Sequence, residues 1–222
     1  MKNLKKTTPF LLILLLFTQA PNLVAQEKFE GKVVINVSGK EGANTMTYYV
    51  KNNKARFDMT TERGEAKMVF DRDNKKMIMM VSAMKMYMEF PTDVIDEQIK
   101  TNKKKDKTVD FTKTGETKVI NGYKCEKWTM NEKEGITEAW MADGLGEFLF
   151  FNSPMQRSSK PEWQEGIAGT GAFPMLVVHK DGDGNTTTNF EVKSIAKMKL
   201  EDSFFSVPEG YNKMQIPMGG KK

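Results

Sequence analysis

One cysteine and one histidine in 222 residues leave this chain short of the side chains on which most enzyme and metal chemistry is built. Cys125 has no second cysteine to pair with, so no intramolecular disulfide can form and stability must come from packing. A buried, inert thiol is the expectation. His179 follows the apolar run PMLVV and is expected as a strand residue near a sheet rim and not as a general base, since nothing local supports its pairing with Cys125 or a serine. GxSxG, HExxH and a phosphate-binding glycine loop are all missing. Asp181-Gly182-Asp183-Gly184-Asn185 places carboxylates as a calcium loop does, but its twelfth position is Val192 and not a bidentate glutamate. It reads as a hairpin turn. No catalytic residue, cofactor or metal is therefore assigned, and the protein is expected not to be an enzyme.

Long apolar runs and a strong charge are also missing. Phe10 to Phe17 (FLLILLLF) is the longest apolar stretch and is too short to span a bilayer. With Lys2, Lys5 and Lys6 before it and Ala25 after it, it reads as an export signal cleaved after Ala25. No cysteine follows closely, so the lipid-anchoring signal of a lipoprotein is not present. The expected location is the periplasm or outside the cell. Removing the three signal lysines lowers the formal charge from +5 to +2, too little to argue for nucleic acid. Residues 26–222 suffice for one well-buried domain, expected as a monomer that does not span a membrane.

Methionine and period-two alternation are abundant. Phe29, Gly31, Val33, Ile35 and Val37 alternate with polar residues, as do Met46, Tyr48 and Val50, then Ala55, Phe57 and Met59, then Ala66, Met68 and Phe70. Turn residues separate these runs, as in an antiparallel meander with one apolar face. Lys76 to Phe90 (KMIMMVSAMKMYMEF) then carries six methionines on two expected strands: Met77, Met79, Met80, Met84, Met86 and Met88. Alternation puts Met84, Met86, Met88 and Phe90 on one side. Methionine is flexible and polarizable, and suits an apolar surface that must adapt to its partner. A core strand would use the same residues. Three thioethers about 7 Å apart on one strand face could also hold Cu(I), a less favoured reading.

Two inserts interrupt the strands. Pro91 to Lys107 reads as a short capped helix ending in lysines, and a second short helix opens at Ser159-Lys160-Pro161 and runs through Trp163. Leu145 to Met155 (LGEFLFFNSPM) has neither strand nor helix period, although Phe148, Leu149, Phe150 and Phe151 are contiguous and large. About ten strands without a βαβ rhythm give an α+β fold: a curved antiparallel sheet forming an unclosed β-barrel with short helical lids.

The segments FEGKVVINVSG, YYVKNNKARFDM, TGETKVINGYKCEKWTM and DSFFSVPEGY resemble the LolA/LolB-like superfamily of exported proteins, and are most similar to an uncharacterised domain-of-unknown-function branch of it. The resemblance implies an unclosed barrel around an apolar cavity, and relatives that carry lipoproteins or lipids without catalysis. Arg56 corresponds to an arginine that helps to hold the lid in the carriers, although the Arg-Pro pair typical of them is missing.

The expected function is non-catalytic binding of a lipid, acyl chain or lipidated protein in a methionine-rich cavity. Met46, Tyr48, Met68, Phe70, Met77, Met79, Met84, Met86 and Met88 are the expected lining, and Phe148, Leu149, Phe150, Phe151 and Arg56 the expected lid. An envelope interaction or scaffold module is the alternative, favoured if the phenylalanines form an exposed patch.

Overall fold

The structure, a computed structural model, describes residues 28–39, 42–61, 64–92, 111–132, 135–149, 162–167 and 169–215. Six strands meander first: β1 (Gly31–Gly39), β2 (Gly42–Lys51), β3 (Lys54–Thr61), β4 (Gly64–Asp71), β5 (Lys76–Val81) and β6 (Met86–Pro91). A second meander follows: β7 (Thr112–Ile120), β8 (Tyr123–Glu132), β9 (Gly135–Ala142), β10 (Phe173–Asp181) and β11 (Thr186–Lys197). The first and last strands of this plan, β1 and β11, pair antiparallel and join the two meanders. A two-residue strand, β12 (Asn212–Lys213), adds to the edge of β6 in parallel. The sheet order is β12-β6-β5-β4-β3-β2-β1-β11-β10-β9-β8-β7, and its ends do not meet. The result is one large, curved, unclosed sheet.

Two glycines permit close strand contact. A Cβ on Gly135 would lie 1.8 Å from the Lys180 carbonyl oxygen, and one on Gly31 would lie 2.2 Å from that of Ala196. Backbone cannot yield at such distances, so both strands start on a residue without a side chain.

Alternation sorts the strands into two apolar faces. The concave face carries the main core, from Val33 and Ile35 through Tyr48, Phe57 and Met68 to Met175 and Val177. The convex face of the first meander has its own cluster, in which Val69, Ile78 and Met80 are covered by Leu200 and Phe205 of the C-terminal segment. That segment is tied down at several points: Lys51 donates to the Leu200 carbonyl at 2.6 Å, and the Asn212 amide donates to the Lys85 carbonyl at 2.8 Å.

The described residues are 64% strand and 8% helix, so the expected α+β class is corrected to mostly β. The helix read over Pro91 to Lys107 falls largely on residues 93–110, outside the described residues. Near the second expected helix lies α1 (Glu162–Ile167), whose Trp163 and Ile167 are buried in the concave core.

Candidate functional site: an apolar concave face and its strap

The concave face of the first meander is built from cross-strand rows. Met88 faces Met79, Met79 faces Met68, Met68 faces Phe57 and Phe57 faces Tyr48, across five strands. In the adjacent row Phe90 faces Met77 and Met77 faces Phe70, and toward the other rim Met46 faces Met59. Directly opposed side chains on one face lie about 5 Å apart, so these thioethers form a continuous surface. Tyr48, Met68, Phe70, Met77 and Met88 are buried, while Met46, Met79 and Met86 are half-buried. Met86 shares the face of Met88 by strand parity, with Val81 opposite it.

Met84 departs from the expectation. Ser82–Met84 is a 3-10 turn closed by Lys85 at φ 48, so β6 begins only at Met86 and Met84 stands 63% exposed. The left-handed residue breaks the alternation that was extended back to Met84. Met84 is therefore no lining residue, and the Met84-x-Met86-x-Met88 set proposed for Cu(I) is not on one strand face. Among the described residues no group of three or more His, Cys, Asp or Glu side chains could hold a metal ion.

Arg56 is also corrected. Ala55 and Phe57 face the concave core, so strand parity sends Arg56 to the convex side. There its guanidinium pairs with both oxygens of Asp58 at 2.6 and 2.7 Å, donates to the Phe204 carbonyl at 2.9 Å and stacks 4.0 Å over the Phe204 ring. It clamps the C-terminal segment, on the face of the sheet opposite to the described lid residues Phe148 and Leu149.

After β9 the chain crosses the concave face as an extended strap over residues 145–149. Leu145 and Phe148 are buried, and the Phe148 ring meets Tyr48 and Phe173 at 5.1 Å, Phe190 at 5.4 Å and Phe57 at 5.7 Å. Leu149 is partly buried against the same core, whereas Phe150 and Phe151 lie outside the described residues. Glu147 anchors the strap: it pairs with Arg72 of the β4–β5 turn at 2.6 Å and accepts from the Gly169 amide at 2.9 Å.

Beneath the strap, Tyr48 is fully buried and its hydroxyl has no hydrogen-bond partner among the described residues. Burial raises its pKa well above the ordinary tyrosine value, opposed by the nearby Leu149 backbone amide. That amide faces the phenol oxygen without reaching hydrogen-bond geometry. An unpaired buried hydroxyl is unfavourable by about 1–3 kcal/mol.

A polar cluster at the concave rim was not singled out in the sequence. The Thr137 hydroxyl donates to Glu132 at 2.5 Å and lies 2.9 Å from His179 Nδ1. A hydroxyl has one proton, so here it accepts from Nδ1–H. Thr137 is fully buried, and Glu132 and His179 are 13% and 15% exposed. Only the strand register, which sets His179 opposite Thr137, reveals the grouping.

Cys125 is buried, and burial pushes its thiol pKa up, away from reactivity. It lines a cleft of about 290 Å³ with Trp128, Glu126 and Met141. A second cleft, of about 640 Å³, lies between Phe29, Asn52 and the lysines Lys28, Lys197 and Lys199. Neither is lined by the β4–β6 methionines.

These features define an open β-sheet protein with an apolar, methionine-rich concave face crossed by an aromatic strap. Residues 29–211 match the family described as Domain of unknown function (DUF4412), and the chain belongs to that family. An uncharacterized conserved protein from Thermus thermophilus has a similar fold, with 9% identity, a TM-score of 0.53, and coverage of 85% of this chain and 91% of that one. Weaker likenesses include the MucA/MucB complex of Pseudomonas aeruginosa, at 8% identity and TM-score 0.44 over 81% of this chain and 56% of that one. Another is a domain assigned to outer membrane lipoprotein sorting from Vibrio parahaemolyticus, at 9% identity and TM-score 0.22 over 79% of this chain and 88% of that one. No curated protein matches the chain. Among the described residues no helix is long and apolar enough to cross a membrane.

Proposed function

We propose that this protein is an exported, non-catalytic carrier that holds a lipid, acyl chain or lipidated protein against its concave methionine face. The observation that carries the reading is the continuous row Met88–Met79–Met68–Phe57–Tyr48, crossed by a strap whose Phe148 ring fills the space between the two meanders. Thioether side chains repack around chains of different shape, where branched residues would fix one packing. Each methylene moved from water onto such a surface contributes about 0.8 kcal/mol. The strap and α1 serve as lids: both lie over the concave core, and the strap is held by the burial of Leu145 and Phe148, with a smaller contribution from the half-exposed Arg72–Glu147 pair. An incoming chain would displace the Phe148 ring and take its place, its own burial offsetting what the ring loses.

Extraction and mass spectrometry of lipids from protein purified without detergent tests the reading, together with titration by a fluorescent acyl probe. A co-purified lipid, or probe binding that Met79→Lys abolishes, is the expected outcome. An empty protein with no affinity for the probe would refute it and favour an envelope interaction module.

A further inference from the structure

We propose that Tyr48 is the polar anchor of the concave site, donating its hydroxyl proton to the carbonyl oxygen of a neutral acyl ester or amide. The chain of that ligand would take the place of the Phe148 ring. This rests on the carrier reading above and adds the chemical class of the ligand. The hydroxyl is buried, lies beneath the strap and has no acceptor for its proton among the described residues. The centre of the Tyr48 ring lies 4.7, 5.1 and 5.8 Å from those of the Phe57, Phe148 and Phe173 rings, none of which accepts a conventional hydrogen bond. Phenylalanine would fill the same volume without the unpaired group, so the hydroxyl contributes nothing to packing. What it lacks is an acceptor, and an acyl chain attached to glycerol, to an amine or to a lipidated cysteine brings a carbonyl oxygen at its head.

Charge decides between a neutral and an ionised head group. Arg72, whose charge reaches the phenol, is already paired with Glu147, so a carboxylate would enter an aromatic pocket without a free counter-ion among the described residues. An ester or amide carbonyl meets no such penalty. The Leu149 backbone amide, which faces the phenol oxygen, offers a second donor to the same carbonyl once the strap moves.

The test compares wild type with Tyr48→Phe, using methyl palmitate, palmitate and hexadecane to displace the apolar fluorescent probe 1-N-phenylnaphthylamine. Loss of one neutral hydrogen bond in a dry site should weaken methyl palmitate about tenfold and leave hexadecane unchanged. In wild type, the ester should bind more tightly than the carboxylate. Without ligand, the Tm of Tyr48→Phe should equal or exceed that of wild type. Equal loss of ester and hexadecane, or no loss of either, overturns the anchor while leaving the carrier reading intact. A lowered Tm shows that the hydroxyl supports the fold and also overturns it. Failure of wild type to bind the fluorescent probe overturns both.

Discussion

Replacing Phe148 with alanine separates a strap that fills a binding site from one that is plain core. The ring is 4% exposed and has four aromatic neighbours within 5.7 Å among the described residues. Truncating a phenylalanine so enclosed destabilises by about 3–5 kcal/mol, the sum of lost transfer energy and the cavity left behind. For a chain of this size that lowers Tm by roughly 6–20 °C, at about 2–4 °C per kcal/mol. The cavity is lined by rings and thioethers, so an alkyl chain should refill it. About five methylenes at 0.8 kcal/mol each would offset a loss of about 4 kcal/mol. In wild type the same chain must first displace Phe148, so it gains less. Calorimetric melting of both proteins with and without decane, at equal ligand concentration, provides the comparison. Decane should raise the Tm of Phe148→Ala by several degrees more than it raises that of wild type. A loss below about 1 kcal/mol, or no response of the variant to decane, would refute the account of the strap.

Other perturbations test neighbouring parts of the argument. Arg56→Lys should lower stability by about 1–3 kcal/mol in urea, because a lysine cannot make the bidentate pair with Asp58 while donating to the Phe204 carbonyl. Hydrogen exchange should speed up over residues 200–215 and stay unchanged over 145–149; the reverse pattern would put Arg56 back on the lid. Thr137→Val should cost about 1–3 kcal/mol, since it removes one hydrogen bond each from Glu132 and His179 at the concave rim, and a neutral result in urea titration would dissolve the proposed grouping. Burial raises the pKa of Asp71, but two hydrogen bonds from Asn74 and the charges of Lys54 and Lys76 outweigh it and hold the carboxyl below its ordinary value. A carboxyl depressed in the fold contributes stability above its unfolded pKa of about 4 and loses it as pH falls through the folded value. Asp71→Asn should therefore flatten the acid limb of the stability curve below about pH 4, and an unchanged limb would contradict the assignment.

Much of the concave face was legible because strand parity is a hard geometric rule. Val33, Tyr48, Phe57 and Met68 belong to apolar sets that recur at every second position of their strands, and the register brings them together as that period requires. Met84 was misplaced because Ser82-Ala83-Met84-Lys85 contains no glycine, proline or asparagine to announce a turn, and a lysine takes the left-handed conformation. Arg56 shows the opposite kind of error. Parity already set it opposite Ala55 and Phe57, and only the resemblance to lipoprotein carriers drew it toward the lid. The C-terminal clamp and the Glu132–Thr137–His179 group rest on contacts between distant segments, which no local pattern encodes.

Strap and clamp together explain why the methionines can stay adaptable without loss of the fold. The convex side of the first meander is held by the second apolar cluster and by the C-terminal segment, whose β12 also covers the edge of β6. Part of the rigidity in the methionine strands therefore comes from behind, through Val69, Ile78 and Met80. On the carrier reading, their concave side chains, Met68, Met79 and Met88, would rearrange around a guest while this brace holds the backbone register. The second meander has no such segment on its convex side among the described residues; there Lys127 bridges Glu116 and Glu138 in a charged, water-facing ladder. Hence the adaptable surface coincides with the half of the sheet that is braced from outside. Deleting residues 200–215 should loosen the methionine strands before it disturbs β8 to β10. Protection from hydrogen exchange that fell equally in both halves would show that the sheet is a single cooperative unit and would remove the basis for this division of labour.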